Sequence, residues 1–479
     1  DQSIYAWRGA DIRNILDFEE DYPDAQVVKL EQNYRSTQPI LEGASGVIEN
    51  NLTRKERRLW TEREGGDRIR LYEAHDDRDE AMFVVSQVLG AVKKGDRAFR
   101  DFAVFYRTNA QSRVLEDELL KYDVPYVIVG GVRFYERAEV KDALAYLRLL
   151  LNPTDAMALR RIVNVPARGI GKTSVERAMA VAERDEVSLL EAFRRMVNRG
   201  EAGRSGAKIA SFLNLIDQLA DEVRPMAPAD ALSTILDRTG YVRALERDGS
   251  PEAESRIENL RELVTGAEDF EAQNVGDLGE ERGMLDLFLD QVALVSDLDG
   301  YDGDGDRVSL MTVHSAKGLE FPAVFLVGLE EGVFPHAASS RDPEGIEEER
   351  RLCYVGMTRA METLTITFAQ ERRRFGSRSF GVPSRFLREI PPSVLEGEPP
   401  DARDPLDGPT VDYSYAQDDP GESGEGPGLA PGLRVRHPVF GWGAIVRVRG
   451  SGLAAKLDIK FDRVGVKTVM LKYANLDLG

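Results

Sequence analysis

Chemistry is concentrated in a few short strings. The chain opens Asp1-Gln2-Ser3-Ile4-Tyr5-Ala6-Trp7-Arg8-Gly9-Ala10. Tyr5, Trp7 and Arg8 set aromatic faces beside a guanidinium, which suits base stacking with phosphate contact. Leu30–Thr37 (LEQNYRST) follows an apolar run, Val27–Leu30, that reads as a strand. Arg35 can contact a terminal phosphate there and Tyr34 can pack on a nucleotide; the plain alternative is a strand-end salt bridge. Val308–Phe321 (VSLMTVHSAKGLEF) reads as a strand that delivers Thr312 and His314 to a Lys317-Gly318 loop. A hydroxyl and an imidazole at a strand end suit contacts to a nucleic-acid backbone, although a lone His is more often structural.

Three other strings invite site readings. Gly169-Ile170-Gly171-Lys172-Thr173 ends like a phosphate-binding loop, but Pro166 stands where G-x-x-x-x-G-K-[ST] needs Gly. Its flanks read as helix on both sides. A helix-hairpin-helix turn is the better reading, with Gly169, Gly171 and Lys172 meeting a duplex phosphate at a helix N-terminus; a helix C-cap is the alternative. Asp297–Asp306 fails the EF-hand spacing and reads as an acidic hinge loop. Four scattered His and one Cys leave a zinc site unsupported, so no metal ligand is assigned. Phe375, in Arg374-Phe375-Gly376, is balanced between a stacking platform for one base and a core residue.

These strings must be held by elements. Up to about 135, strand-like runs (Ile69–Tyr72, Phe102–Tyr106) alternate with amphipathic helical patterns at 77–94 and 110–121, which argues for an α/β domain. From 136 to 298 only helical spacing remains. Strand character returns at Val308–Val313, Ala323–Val327 and Leu364–Thr367. The expected architecture is one α/β domain, 27–135 and 299–390, interrupted by an all-helical insertion at 136–298. Residues 391–431 are rich in Pro, Gly and acid with Arg403 their sole basic residue, the composition of a disordered linker. Residues 432–479 read as short strands with Gly turns, a small β-barrel. The chain carries a net charge of −20, yet residues 433–479 hold nine Lys/Arg against three Asp. The acidic excess therefore does not exclude a local nucleic-acid track. The single Cys353 excludes an internal disulfide framework. No apolar run of about 18 residues occurs, and a cytoplasmic location is the expectation.

Taken together the strings resemble the UvrD/PcrA/Rep helicases, superfamily-one DNA motors. DQSIYAWRGA is similar to that family's motif III, QNYRS to motif IV, Val308–Phe321 to motif V and YVGMTRA to motif VI, all in family order. The resemblance implies two RecA-like motor domains with ATP between them and 3′→5′ translocation on single-stranded DNA. It implies that Gln2, Arg35 and Arg359 converge on the γ-phosphate, with Arg359 as the arginine finger. Tyr34 would pack on the nucleotide and Glu320 would reach the ribose. Tyr5, Trp7, Arg8, Thr312, His314 and Phe375 would line single-stranded DNA, and the GIG turn would meet the duplex. Residues 1–26 would be a remnant of the first motor domain. His437–Gly443 resembles the start of the family's Tudor-like C-terminal domain. There Arg434, Arg436, Phe440 and Trp442 would meet a protein partner, RNA polymerase, although basic and aromatic residues equally permit nucleic acid. The family's phosphate loop and Asp-Glu magnesium motif do not occur in these residues. The expectation is therefore that Mg²⁺ ligands lie in an N-terminal part not included here, and that the isolated chain does not hydrolyse ATP. A non-catalytic DNA- or polymerase-binding protein is the alternative.

Overall fold

The computed structural model describes residues 1–4, 14, 17–52, 54, 59–274, 283–297, 305–374, 377–397, 434–437, 441–449, 456–461, 465–470 and 477–478. The chain divides into two compact units, Asp1–Pro405 and Leu406–Gly479.

The first unit is built on a parallel sheet. Its strands are β1 (Ile69–Ala74), β2 (Phe102–Tyr106), β3 (Tyr126–Ile128), β4 (Val308–Thr312), β5 (Phe321–Leu326) and β6 (Ala360–Ala369). A short hairpin follows, β7 (Glu371–Arg374) with β8 (Ser377–Phe380), and then β9 (Leu395–Glu396). The seven-stranded sheet runs β3-β4-β2-β5-β6-β1-β9, every neighbouring pair being parallel. β2 explains the arrangement from sequence: FAVFY is buried at every position, as a strand covered on both faces must be. One face carries the helices Asp77–Lys94 and Ser112–Lys121, with Val84, Val88, Leu115 and Leu119 in the core. The other carries Gln38–Ile48 and Pro343–Met357, packed through Ile40, Ala44, Val47, Leu352 and Val355. The helix Asp77–Lys94 starts on an Asp76 cap and ends on Gly95, which is left-handed.

Between β3 and β4 the chain leaves the sheet for an all-helical region. Its long elements are Ala138–Leu151, Lys172–Asp185, Gly206–Val223, Pro228–Thr239 and Pro251–Gln273. They enclose a separate core that includes Tyr146, Phe193, Phe212, Ile235 and Leu260. A parallel α/β sheet with an all-helical insertion is thus the architecture of this unit.

Four elements differ from the sequence reading. β9 lies within 391–431, read from composition as a disordered linker, yet it pairs with β1, and Val394 and Leu395 are buried against the core, because these apolar residues find an open sheet edge. Val27–Leu30 is not a strand: Val27, Val28 and Leu30 are exposed, and no ladder pairs them. β-branched character without a partner edge does not make a strand. β3 and the β7–β8 hairpin were unforeseen; the first is three residues long, and the second opens on a run of arginines.

The second unit contains a five-stranded antiparallel sheet, ordered β13-β12-β11-β10-β14. These strands are β10 (Arg434–His437), β11 (Gly441–Arg449), β12 (Lys456–Phe461), β13 (Gly465–Met470) and β14 (Asp477–Leu478). Ile459 is its buried anchor.

Candidate nucleotide and nucleic-acid site

The motor unit gathers three distant strings at one end of β6. Asn33 starts the arrangement: its Oδ1 accepts from the backbone N–H of Arg35 and of Ser36, each at 2.9 Å. That is a side-chain turn of the kind Asn favours. Ser36 Oγ then donates to the Ala360 carbonyl at 2.6 Å, and Thr37 N–H donates to the Met361 carbonyl at 3.2 Å. The turn is pinned to the first residues of β6, so Arg35 must stand beside Thr358 and Arg359. Arg35 Nε donates to Glu320 Oε2 at 2.6 Å and its Nη1 to the Thr358 carbonyl at 3.4 Å.

Arg359 follows the helix Pro343–Met357 and is 3 % exposed. Its guanidinium donates to the Val355 carbonyl at 3.1 Å, the Leu319 carbonyl at 3.3 Å and Thr358 Oγ1 at 3.3 Å. Burial lowers its pKa to about 10, and the neighbouring Arg35 charge adds to the effect. Arg35 is ion-paired with Glu320, whose side chain is 51 % exposed, and the Glu320 charge also acts on Arg359. An exposed pair of that kind is worth about 0–1 kcal/mol, so an anionic ligand can displace it at little cost. The site has an excess of positive charge with a loosely held counter-ion. Arg63, which the motifs did not reveal, adds a third guanidinium by donating to the Arg35 and Met361 carbonyls.

The first residues dock on the same end of the fold. Ile4 is fully buried in the motor core, Arg351 Nε donates to the Ser3 carbonyl at 3.0 Å, and Lys317 Nζ donates to the Gln2 carbonyl at 3.0 Å. Gln2 thereby lies against the 317–320 segment that ends in Glu320. Tyr34 is exposed, with its hydroxyl on Gln32 at 2.7 Å. Thr312 ends β4, its hydroxyl 3.1 Å from Ser315 Oγ, and His314 is half-buried in the turn that follows. No group of three or more His, Cys, Asp or Glu that could hold a metal occurs among the described residues.

The GIG turn lies far from this cluster in sequence, inside the insertion between the helices Ala156–Ile162 and Lys172–Asp185. Gly169 has φ +73°, a left-handed conformation, and a Cβ there would fall 2.3 Å from Lys208 Nζ. Gly171 caps the second helix with extended backbone, so it is an N-cap and not the C-cap alternative. Ile170 is buried beneath, and Lys172 is 90 % exposed beside Glu176. Tyr5, Trp7, Arg8, Phe375 and Phe440 lie outside the described residues, and Arg434, Arg436 and Trp442 are placed only by their strands. No helix among the described residues is long and apolar enough to cross a membrane.

Comparison with known proteins agrees with this geometry. Residues 28–371 match the UvrD-like helicase C-terminal domain, 432–477 the PcrA/UvrD tudor domain, and 1–23 the UvrD/REP helicase N-terminal domain. The ATP-dependent DNA helicase PcrA of Staphylococcus epidermidis is 42 % identical over 479 residues, covering 99 % of this chain and 65 % of that protein. PcrA of Bacillus subtilis is 42 % identical over 494 residues, covering 100 % of this chain and 66 % of that protein. The chain thus spans just under two thirds of the length of these relatives. It belongs to the UvrD-like helicase family, as a RecA-like motor domain with a helical insertion and a tudor domain.

Proposed function

We propose that the chain is the second motor domain, duplex-facing insertion and tail of an ATP-driven 3′→5′ DNA helicase. The observation that carries this reading is the Arg35–Glu320 ion pair, half-exposed at the carboxylate, with the buried Arg359 charge beside it. A nucleotide γ-phosphate entering there replaces Glu320 as the partner of Arg35, freeing that carboxylate for the ribose. Arg359 then stabilises the charge that develops on the transferred phosphoryl group. Gln2, beside Lys317, completes the contact, and Tyr34 covers the base. A phosphate-loop domain of the family's kind would supply the remaining groups, including ligands for Mg²⁺, which would neutralise phosphate charge. Hydrolysis by these 479 residues alone is not expected.

Thr312 and His314 serve the DNA track with Tyr5, Trp7, Arg8 and Phe375, and the turn Gly169–Lys172 meets the duplex arm. The tudor domain recruits RNA polymerase through Arg434, Arg436, Phe440 and Trp442. The test is Arg35→Gln in an enzyme that joins these residues to a phosphate-loop domain. DNA-stimulated ATP turnover should collapse while single-strand affinity stays within about twofold. Turnover within tenfold of the parent removes Arg35 from the nucleotide site.

A further inference from the structure

Both polar groups of the Arg35 main chain are held by side chains. Its N–H donates to Asn33 Oδ1 at 2.9 Å, and its carbonyl accepts from Arg63 Nη1. The same nitrogen donates to the Met361 carbonyl at 3.3 Å, and Met361 lies just beyond Arg359 on β6. Arg63 thus joins the main chain that carries Arg35 to the strand that follows Arg359. The segment that delivers Arg63 runs alongside the turn. Trp60 N–H donates to the Glu31 carbonyl at 3.0 Å, Asn33 N–H to the Trp60 carbonyl at 2.7 Å, and Gln38 N–H to the Arg63 carbonyl at 3.3 Å. Arg63 N–H donates to Thr61 Oγ1 at 3.1 Å. Further on, Gly66 has φ +102°, and a Cβ there would fall 2.7 Å from Thr37 Cβ, so glycine is what lets the chain pass the turn so closely.

The ion pair of Arg63 is the lesser of its contacts. Nη2 lies 3.8 Å from Glu362 Oε1, with the two side chains 35 % and 46 % exposed, and a pair of that kind adds little. A guanidinium donating to a carbonyl makes a stronger, charge-assisted bond. What Arg63 contributes is therefore the placing of two carbonyls. This matters once Glu320 gives way to a γ-phosphate. The hydrogen bond then left to the Arg35 side chain is the 3.4 Å contact with the Thr358 carbonyl, and Arg35 is aimed from its main chain. Freeing the Arg35 carbonyl lets the turn drift from β6. A misplacement of about 1 Å at a reacting centre can cost about 100-fold in rate.

We propose that Arg63 is a positioning residue of the nucleotide site, aiming Arg35 at the γ-phosphate by holding the Arg35 and Met361 carbonyls. This rests on the placement of Arg35 at the γ-phosphate and adds a residue that lies outside the motif strings. The experiment sets Arg63→Met and Arg63→Lys beside the parent and Arg35→Gln, in an enzyme that joins these residues to a phosphate-loop domain. ADP has no γ-phosphate, so Arg63→Met should weaken AMPPNP binding about tenfold and leave ADP binding within about twofold. A general loss of stability would lower both affinities together. The kcat for ATP should fall about 10- to 100-fold. One nitrogen makes both carbonyl bonds, so an ammonium can stand in for it, and Arg63→Lys should return kcat to within about fivefold of the parent. Three results overturn the inference and leave the nucleotide reading standing, provided that Arg35→Gln collapses turnover: equal losses of AMPPNP and ADP affinity in Arg63→Met, Arg63→Met turnover within about threefold of the parent, or Arg63→Lys falling as far as Arg63→Met. An Arg35→Gln enzyme that turns over within about tenfold of the parent overturns the placement of Arg35 and this inference with it.

Discussion

Replacing Glu116 by Gln should change how the motor–insertion junction responds to pH. Glu116 lies on the helix Ser112–Lys121 and is 3 % exposed. One oxygen accepts from Ser112 Oγ at 2.5 Å; the other accepts from Phe134 N–H at 3.1 Å and Tyr126 OH at 3.3 Å. Phe134 is where the chain turns into the insertion. Burial raises the Glu116 pKa from 4.5 to about 7, against the favourable Ser112 hydrogen bond and the Arg137 charge. Glu262, on the insertion helix Pro251–Gln273, is raised to about 7 by burial, and Asp117 to about 6. A raised folded pKa means that the folded state holds the proton more tightly. The stability is therefore fully present below about 4.5 and is lost as pH rises through about 7. A rise from 4.5 to about 7 corresponds to about 3 kcal/mol as an upper figure. Loss of the attraction to Arg137 offsets part of this, so Glu116→Gln should stabilise the junction by about 1–3 kcal/mol at pH 8 and by nearly nothing at pH 4.5. Asp185, held low chiefly by its hydrogen bond from Arg184, titrates below this window. Urea unfolding at pH 5, 6, 7 and 8, with hydrogen exchange across residues 134–151, reads the effect. A parent midpoint that is flat or rises from pH 5 to 8, or a Gln variant that tracks the parent, refutes the reasoning.

Two further outcomes follow from the proposed function. Gly171 has φ −80° and open space around its Cα, so Gly171→Asp should fold normally. In an assembled enzyme it should spare single-strand-stimulated ATP turnover and lower unwinding of substrates with a duplex arm by about tenfold, through like-charge repulsion of phosphate; lost turnover in a folded variant contradicts that assignment. Deleting residues 432–479 should leave unwinding nearly unchanged and remove RNA polymerase from pull-downs. If the isolated tudor domain instead binds DNA with a steep salt slope and ignores polymerase, the partner is nucleic acid.

The sequence disclosed the site where its residues fall in contiguous strings. QNYRS, VHSAKGLEF and YVGMTRA are contiguous strings that resemble family motifs, and by that resemblance Arg35, Glu320 and Arg359 could be named as candidates before the 2.6 Å Arg35–Glu320 contact was seen. Strands with a strong apolar run, such as Phe102–Tyr106, were equally legible. What escaped depends on pairing across long separations. Arg63 acts through backbone carbonyls, for which no residue type is a signal. The buried ion pairs of Arg372 with Glu80 and Glu330 join three elements up to 292 residues apart, and in sequence Arg372 is one of several arginines in a charge run. Val27–Leu30 failed in the opposite direction: its residue types suit a strand, but strand structure belongs to the pair and not to the segment.

The central claim is that Arg359 acts on the transferred phosphoryl group from its buried position at the start of β6. The direct measurement is kcat for ATP, at saturating single-stranded DNA, in an enzyme joining these residues to a phosphate-loop domain, with Arg359→Ala set against the parent. The account predicts a fall of about 10³-fold or more, with DNA affinity and melting temperature close to those of the parent. A folded Arg359→Ala enzyme that turns over ATP within tenfold of the parent contradicts it.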